Sequence, residues 1–131
     1  MKLEKVDHIC IAVKNLKEAE SYFSRIFGLE PDDRYVDEKE KIDVVRYYIG
    51  EVGLELVAST APDGEVARFI EKRGEGIFIL SLKVPDVEEA VVELRKKGVP
   101  ILDEEPRKWR QSKYTFISPK DMFGVLLEII D

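Results

Sequence analysis

The chain says the same thing twice. Asp7-His8-Ile9-Cys10-Ile11-Ala12-Val13-Lys14-Asn15-Leu16-Lys17-Glu18-Ala19 aligns without a gap on Phe78-Ile79-Leu80-Ser81-Leu82-Lys83-Val84-Pro85-Asp86-Val87-Glu88-Glu89-Ala90. Later in each half, Gly53-Leu54-Glu55-Leu56-Val57 answers Val125-Leu126-Leu127-Glu128-Ile129-Ile130. Each copy is too small to bury its own apolar face, so the two are expected to pack around a pseudo-twofold axis. A site on that axis draws side chains from both copies. The repeat pairs Glu55 with Glu128, but it pairs His8, the only histidine, with Ile79.

The grammar of each copy is a strand followed by a capped helix. Val6 to Val13 is nearly all apolar and partly β-branched, which predicts a buried strand. Asn15 is placed to cap a helix whose third position is Glu18, whose apolar face is Leu16, Ala19, Phe23 and Ile26, and whose end is Gly28. In the second copy Asp86 is the cap and Glu89 the third position. Val87, Ala90, Val91 and Leu94 form its stripe, and Gly98 the stop.

Strands are expected at Arg34 to Val36, Asp43 to Ile49 and Leu54 to Ala58, and again at Pro100 to Leu102, Tyr114 to Ile117 and Gly124 to Ile130. The turns between them are Gly50-Glu51-Val52-Gly53 and Ser118-Pro119-Lys120-Asp121. The fold class that follows is α+β, built from two βαβββ modules, 1–60 and 76–131. A connector, 61–75, carries a short helix from Glu65 to Lys72.

Side chains alternate faces along a strand, so His8, Cys10 and Ala12 share one face of the first strand and Ile9, Ile11 and Val13 the other. The helix must cover the greasier set, which leaves His8 facing a cavity. By the repeat, Ile79, Ser81 and Lys83 face the same way, and Glu55 and Glu128 each interrupt an apolar strand. Taken singly, a glutamate in such a strand is more often solvated, and a lone histidine more often structural. Their placement at equivalent points of a repeat favours a shared site. The cup would be lined by His8, Glu55, Ser81, Lys83 and Glu128, with Lys83 available to neutralise a glutamate. Cys10 has no neighbouring base in sequence and reads as an inert buried thiol.

Composition narrows the rest. The 131 residues suffice for one domain, and a net charge of −6 argues against a nucleic-acid-binding surface. Charged residues reach 37%, with Glu and Lys dominant, an enrichment found in proteins from hot environments. No stretch has the length of a membrane span or the form of a signal peptide, and one cysteine cannot form an intrachain disulfide, so a reducing cytoplasm is the expected location. Within this acidic chain, Arg107-Lys108-Trp109-Arg110-Gln111-Ser112-Lys113 is a basic stretch read as a loop. Trp109 and Arg110 are its candidates for clamping an anionic tail such as a phosphate group, although charged loops are commonly just solvated.

Val6-Asp7-His8-Ile9-Cys10-Ile11-Ala12-Val13 resembles the first metal-bearing strand of the vicinal oxygen chelate group, which includes glyoxalase I, bleomycin-resistance proteins, extradiol dioxygenases and methylmalonyl-CoA epimerase. Ala67 to Ile77, Asp103-Glu104-Glu105-Pro106-Arg107, Ser118-Pro119-Lys120 and Gly124-Val125-Leu126-Leu127-Glu128 are similar to the epimerase branch. The resemblance covers nearly the whole chain. It implies a curved glyoxalase-like sheet around one cavity and a homodimer.

For the site, the resemblance implies a divalent metal held by His8, Glu55 and Glu128, the two glutamates doubling as candidate catalytic groups. The fourth ligand position, a histidine in the group, falls at Ile79. Ser118 and Trp109-Arg110-Gln111-Ser112 also depart from the epimerase pattern. One imidazole and two carboxylates would hold Co, Mn, Fe, Ni, Zn or Mg weakly.

The function expected is a metal-dependent isomerase or lyase of the glyoxalase or methylmalonyl-CoA epimerase type. It would act on a small carbonyl or acyl-CoA thioester through an enolate. Ser81, Lys83, Trp109 and Arg110 would contact the substrate. The alternative is a metal-free protein, like the bleomycin-resistance branch, that binds a small ligand and has lost the second metal histidine at Ile79.

Overall fold

The computed structural model describes all residues, 1–131. In chain order the elements are β1 (Lys5–Ala12), α1 (Leu16–Phe27), β2 (Asp33–Asp37), β3 (Ile42–Ile49), β4 (Val52–Ser59), α2 (Glu65–Arg73), β5 (Gly76–Lys83), α3 (Val87–Lys96), β6 (Arg107–Trp109), β7 (Ser112–Ile117) and β8 (Leu127–Ile130). The mixed α+β class expected from the repeat is what forms. The chain divides into two compact units, a composite one of Met1–His8 with Ile79–Asp131 and a central one of Ile9–Phe78.

In the composite unit the start of β1 lies along β5, where the Glu4 N–H donates to the Lys83 carbonyl at 2.8 Å. β5 then pairs in parallel with β8, β8 antiparallel with β7, and β7 antiparallel with β6. α3 closes this unit's core. Val87, Ala90, Val91 and Leu94 are buried against Val84, Ile117, Leu127 and Ile129, with Leu80 and Leu82 beside them. Each such valine or leucine contributes about 1.5–3 kcal/mol by leaving water.

Asp86, in extended backbone, caps α3 by accepting from the Glu89 N–H at 3.0 Å, as its sequence position requires. The Asp131 carboxylate adds a second tie. It accepts from the Val87 N–H at 3.0 Å and from the Lys113 N–H at 2.8 Å, joining the helix start to β7.

In the central unit the order is the rest of β1, then β4, β3 and β2, with antiparallel pairing from β4 to β2. Asn15 caps α1 by accepting from the Glu18 N–H at 3.0 Å, and Gly28 ends the helix at φ 66°, a left-handed conformation that costs a glycine nothing. Leu16, Ala19 and Phe23 pack with Ile11 on Val13, Val45, Tyr47 and Leu56. Ile26, the fourth member of the expected stripe, is instead 42% exposed, and with Phe27 it leaves the last turn of α1 in solvent.

Three local expectations are corrected. Pro100 to Leu102 forms no strand; the proline has no N–H to donate, and a single bond from the Leu102 N–H to the Phe116 carbonyl attaches the segment to β7. The basic stretch is not a loop but the β6–β7 hairpin, turning at Arg110 and Gln111 with Arg110 at φ 54°. β8 begins at Leu127 rather than Gly124, because a 3-10 turn over Pro119–Asp121 runs on through Met122, Phe123 and Gly124, which holds φ 86°.

A fourth difference bears on the site. The β3–β4 turn is only Gly50–Glu51, so Ile49 faces Val52 and the register runs back to set Arg46 opposite Glu55. A four-residue turn over 50–53 would have shifted the pairing by two and hidden that partnership.

Candidate functional site

Both repeat-related glutamates are buried, Glu55 at 3% exposure and Glu128 at 6%, as is His8 at 7%. The solvated reading of each is thereby excluded. An ionised group this deep needs compensation, and the two units supply it by different means.

In the composite unit, parallel pairing sets Ser81 of β5 directly beside Glu128 of β8. The fully buried Ser81 hydroxyl donates to Glu128 Oε1 at 2.6 Å. Facing the same oxygen at 3.2 Å is His8 Nε2 from β1. The other ring nitrogen, Nδ1, lies 2.7 Å from Asp7 Oδ2. A carboxylate oxygen only accepts, so each ring nitrogen must present a proton, or a metal ion in its place, to the oxygen it faces. Between His8 Nε2 and Glu128 Oε1, 3.2 Å apart, that link is either a ring proton or a metal ion. No lysine or arginine is paired with Glu128.

This donor set fits a divalent ion. A metal-ligating histidine characteristically gives its second N–H to a carboxylate, which fixes the tautomer and raises the basicity of the ligating nitrogen. Asp7 is in that position, yet strand alternation assigns it to the face opposite His8, so the reading by faces passes it over. The signal available was adjacency: a short aspartate side chain can fold back onto the next residue's ring. Ile79, at the repeat equivalent of His8, is buried in this unit and offers no lone pair.

In the central unit, Glu55 on β4 faces Arg46 on β3. Arg46 Nη1 donates to Glu55 Oε2 at 2.8 Å. The Tyr35 hydroxyl of β2 lies 3.2 Å from Oε2 and 3.4 Å from Oε1, and the Cys10 thiol donates to Oε1 at 3.4 Å. Burial, reinforced by the Glu55 charge, pushes the Tyr35 hydroxyl far above the ordinary tyrosine range, so it stays a neutral donor. Burial alone would lower the Arg46 pKa, but its hydrogen bond and attraction to Glu55 outweigh that and raise it.

The guanidinium is seated on three sides. It lies 4.8 Å from the centre of the Tyr48 ring, and a Cβ on Gly53 would stand 2.4 Å from it, so the glycine makes its room. Cys10 is the buried thiol expected of it.

Lys83 does not neutralise a glutamate. It forms no ion pair, and Arg46 has the part that the sequence reading offered to Lys83. Trp109 is half-buried on β6, the edge strand of the composite unit, with the exposed Arg110 guanidinium 5.2 Å from its ring centre.

Residues 7–116 match a family profile described as Glyoxalase/Bleomycin resistance protein/Dioxygenase superfamily. The chain belongs to this superfamily. Similar proteins include the uncharacterized protein YqjC of Bacillus subtilis (strain 168), 32% identical over 98% of this chain and 93% of its own. The mitochondrial methylmalonyl-CoA epimerase of Homo sapiens is 29% identical over 97% of this chain and 73% of its own. Among solved structures, a variant of Streptomyces coelicolor methylmalonyl-CoA epimerase in complex with 2-nitronate-propionyl-CoA matches with a TM-score of 0.92 and 31% identity, covering 98% of this chain and 94% of that one. The fold expected from the resemblance is therefore the fold of the superfamily's epimerases. No helix is long and apolar enough to cross a membrane.

Proposed function

We propose that this chain is a divalent-metal-dependent epimerase of an acyl-CoA thioester that carries an acidic α-proton. The observation that carries the reading is the His8 and Glu128 pair, an imidazole nitrogen and a carboxylate oxygen 3.2 Å apart with Asp7 behind the ring. Similarity over nearly the whole chain to epimerases of methylmalonyl-CoA supports the substrate class.

His8 and Glu128 are the proposed holders of the ion. When bound, it would supply Lewis acidity toward a carbonyl or thioester oxygen, the electrostatic contribution that is usually the largest in enolate chemistry. Asp7 keeps the imidazole in one tautomer, and Ser81 fixes one oxygen of Glu128. Glu55 is the proposed proton-moving carboxylate. Arg46 anchors its Oε2, while Oε1 carries longer contacts from Cys10 and Tyr35, both at 3.4 Å, that an α-proton could replace.

Trp109 and Arg110 are proposed to meet the coenzyme A tail, with Lys83 near the acyl group. A homodimer in the cytoplasm completes the reading, and sedimentation of the purified protein as a monomer would remove the dimer from it.

The experiment is deuterium uptake at the α-carbon of methylmalonyl-CoA. Exchange is expected only with added Co, Mn or Zn and is lost in Glu128→Gln. Strong exchange in the presence of a chelator overturns the metal-dependent reading. No exchange with any metal, together with tight binding of a small ligand, would favour the metal-free binding protein.

A further inference from the structure

Arg46 is absent from every functional expectation the sequence raises, yet it is the cation paired with the buried Glu55. Its cross-strand partner is Glu55, its guanidinium rests over Tyr48, and Gly53 gives up a side chain to admit it. The cluster it completes is also a latent metal site. Cys10 Sγ and Glu55 Oε1 lie 3.4 Å apart, with the Tyr35 hydroxyl against the same carboxylate. A thiolate and a carboxylate at that separation form a donor set for a thiophilic ion such as Zn or Co.

A carboxylate has about four lone-pair positions, and here Arg46 and Tyr35 address Oε2 while Cys10 and Tyr35 address Oε1. A divalent ion entering between Cys10 Sγ and Glu55 Oε1 would meet a fixed positive charge on the same carboxylate, with Arg46 Nη1 2.8 Å from its other oxygen, Oε2. Glu128 differs on this point, because its partners are the Ser81 hydroxyl and the His8 ring, with no lysine or arginine paired with it.

We propose that Arg46 is a built-in counter-cation that closes the Cys10, Glu55 and Tyr35 cluster to metal, so that of the two repeat-related glutamates only Glu128 takes the ion. Arg46 is thus a selectivity and positioning residue. It decides which carboxylate ligates and which remains off the metal to handle a proton. This deepens the epimerase reading, resting on it for the fate of the ion at Glu128, while the exclusion of metal from Glu55 stands on the central unit alone.

The test is calorimetric and optical titration of the purified protein with Co, followed by the near-ultraviolet charge-transfer band that a cobalt–thiolate bond produces. In the parent protein no such band is expected. Glu55→Gln should hold Co within about twofold of the parent while losing α-proton exchange, whereas Glu128→Gln should lose Co affinity by at least about tenfold. Arg46→Met should gain the band and bind Co more tightly, and the further change Cys10→Ser should abolish the band.

Gly53→Ala is the gentler variant if Arg46→Met does not fold, since the added methyl displaces the guanidinium without deleting it; it too should gain the band. A thiolate band in the parent, a loss of affinity in Glu55→Gln as large as in Glu128→Gln, or no band in any folded variant with Arg46 removed or displaced overturns the inference. Failure of the epimerase reading would show differently, as no exchange with any metal, and the Arg46 variants would still gain the band.

Discussion

Glu128 and Glu55 stand at equivalent points of one repeat, are equally buried, and have been given opposite electrostatic settings. Around Glu128 the composite unit places a hydroxyl and an imidazole, with no lysine or arginine paired to the carboxylate. Around Glu55 the central unit places a permanent cation, cradled by a tyrosine ring and a glycine. The scaffold under the two is alike, down to an Asn or Asp cap three residues before the accepted N–H in both α1 and α3. Duplication thus preserved what makes the elements and diverged in what touches the carboxylates. Two side chains, Arg46 and His8, are enough to turn one pattern into a closed ion pair and an open cation seat.

The largest expected effect tests the closed side of this contrast. Arg46→Met leaves Glu55 buried without its cation, a change that costs about 3–5 kcal/mol where ion pairs are this well shielded. Urea denaturation measures it. A loss no greater than that of a surface substitution would show that Glu55 is compensated by its other partners and that the contrast is not electrostatic.

On the open side, Glu128→Gln should alter unfolding free energy far less and instead lower divalent affinity about tenfold to hundredfold. Calorimetry with Mn or Co decides; an unchanged affinity breaks the comparison from the other end. Restoring a second imidazole by Ile79→His sharpens it, with an expected gain of about tenfold in the same titration.

Smaller effects test the sameness of the scaffolds. Asn15→Ala and Asp86→Ala should each cost about 1 kcal/mol, because each removes one acceptor from the first turn of a helix. Clearly unequal costs, followed by thermal melts, would mean that the halves differ in their helices as well as in their sites.

The least of the expected changes concerns alkaline pH. The folded Tyr35 hydroxyl has a raised pKa, so its contribution to stability is complete below the unfolded tyrosine value and is lost as pH climbs above about 10. Tyr35→Phe should flatten that decline. An unchanged slope would separate Tyr35 from the Glu55 charge.

The repeat made much of this legible. Caps, helix stripes and the burial of His8, Glu55 and Glu128 follow from spacing and alternation, since these depend on local periods that one sequence displays. The repeat aligns Ser81 with Cys10 on the face of β1 that also bears His8, and the structure sets Ser81 beside Glu128.

Arg46 was not legible, because finding it requires the register of a hairpin, and a register hangs on the length of one turn. Four plausible turn residues, Gly50 to Gly53, hid a two-residue turn, and the error of two carried Arg46 past Glu55. Asp7 was missed for the opposite reason: strict alternation sends it to the other face, while its short side chain bends back to His8. Pro100 to Leu102 looked like a strand by composition, but the missing proline N–H leaves Leu102 to make the one bond to β7.

Trp109 has a use unrelated to whatever it binds. It is the chain's only tryptophan, it sits on the edge strand of the composite unit, and a guanidinium lies 5.2 Å from its ring. Light absorbed at the red edge of the protein spectrum therefore excites one fluorophore at one known address, with the five tyrosines left dark. Any event that moves Arg110 off the indole or dries the β6–β7 hairpin will change that emission. The protein carries its own dye, and the response of its hairpin to a ligand can be timed in a stopped-flow cuvette without labelling it.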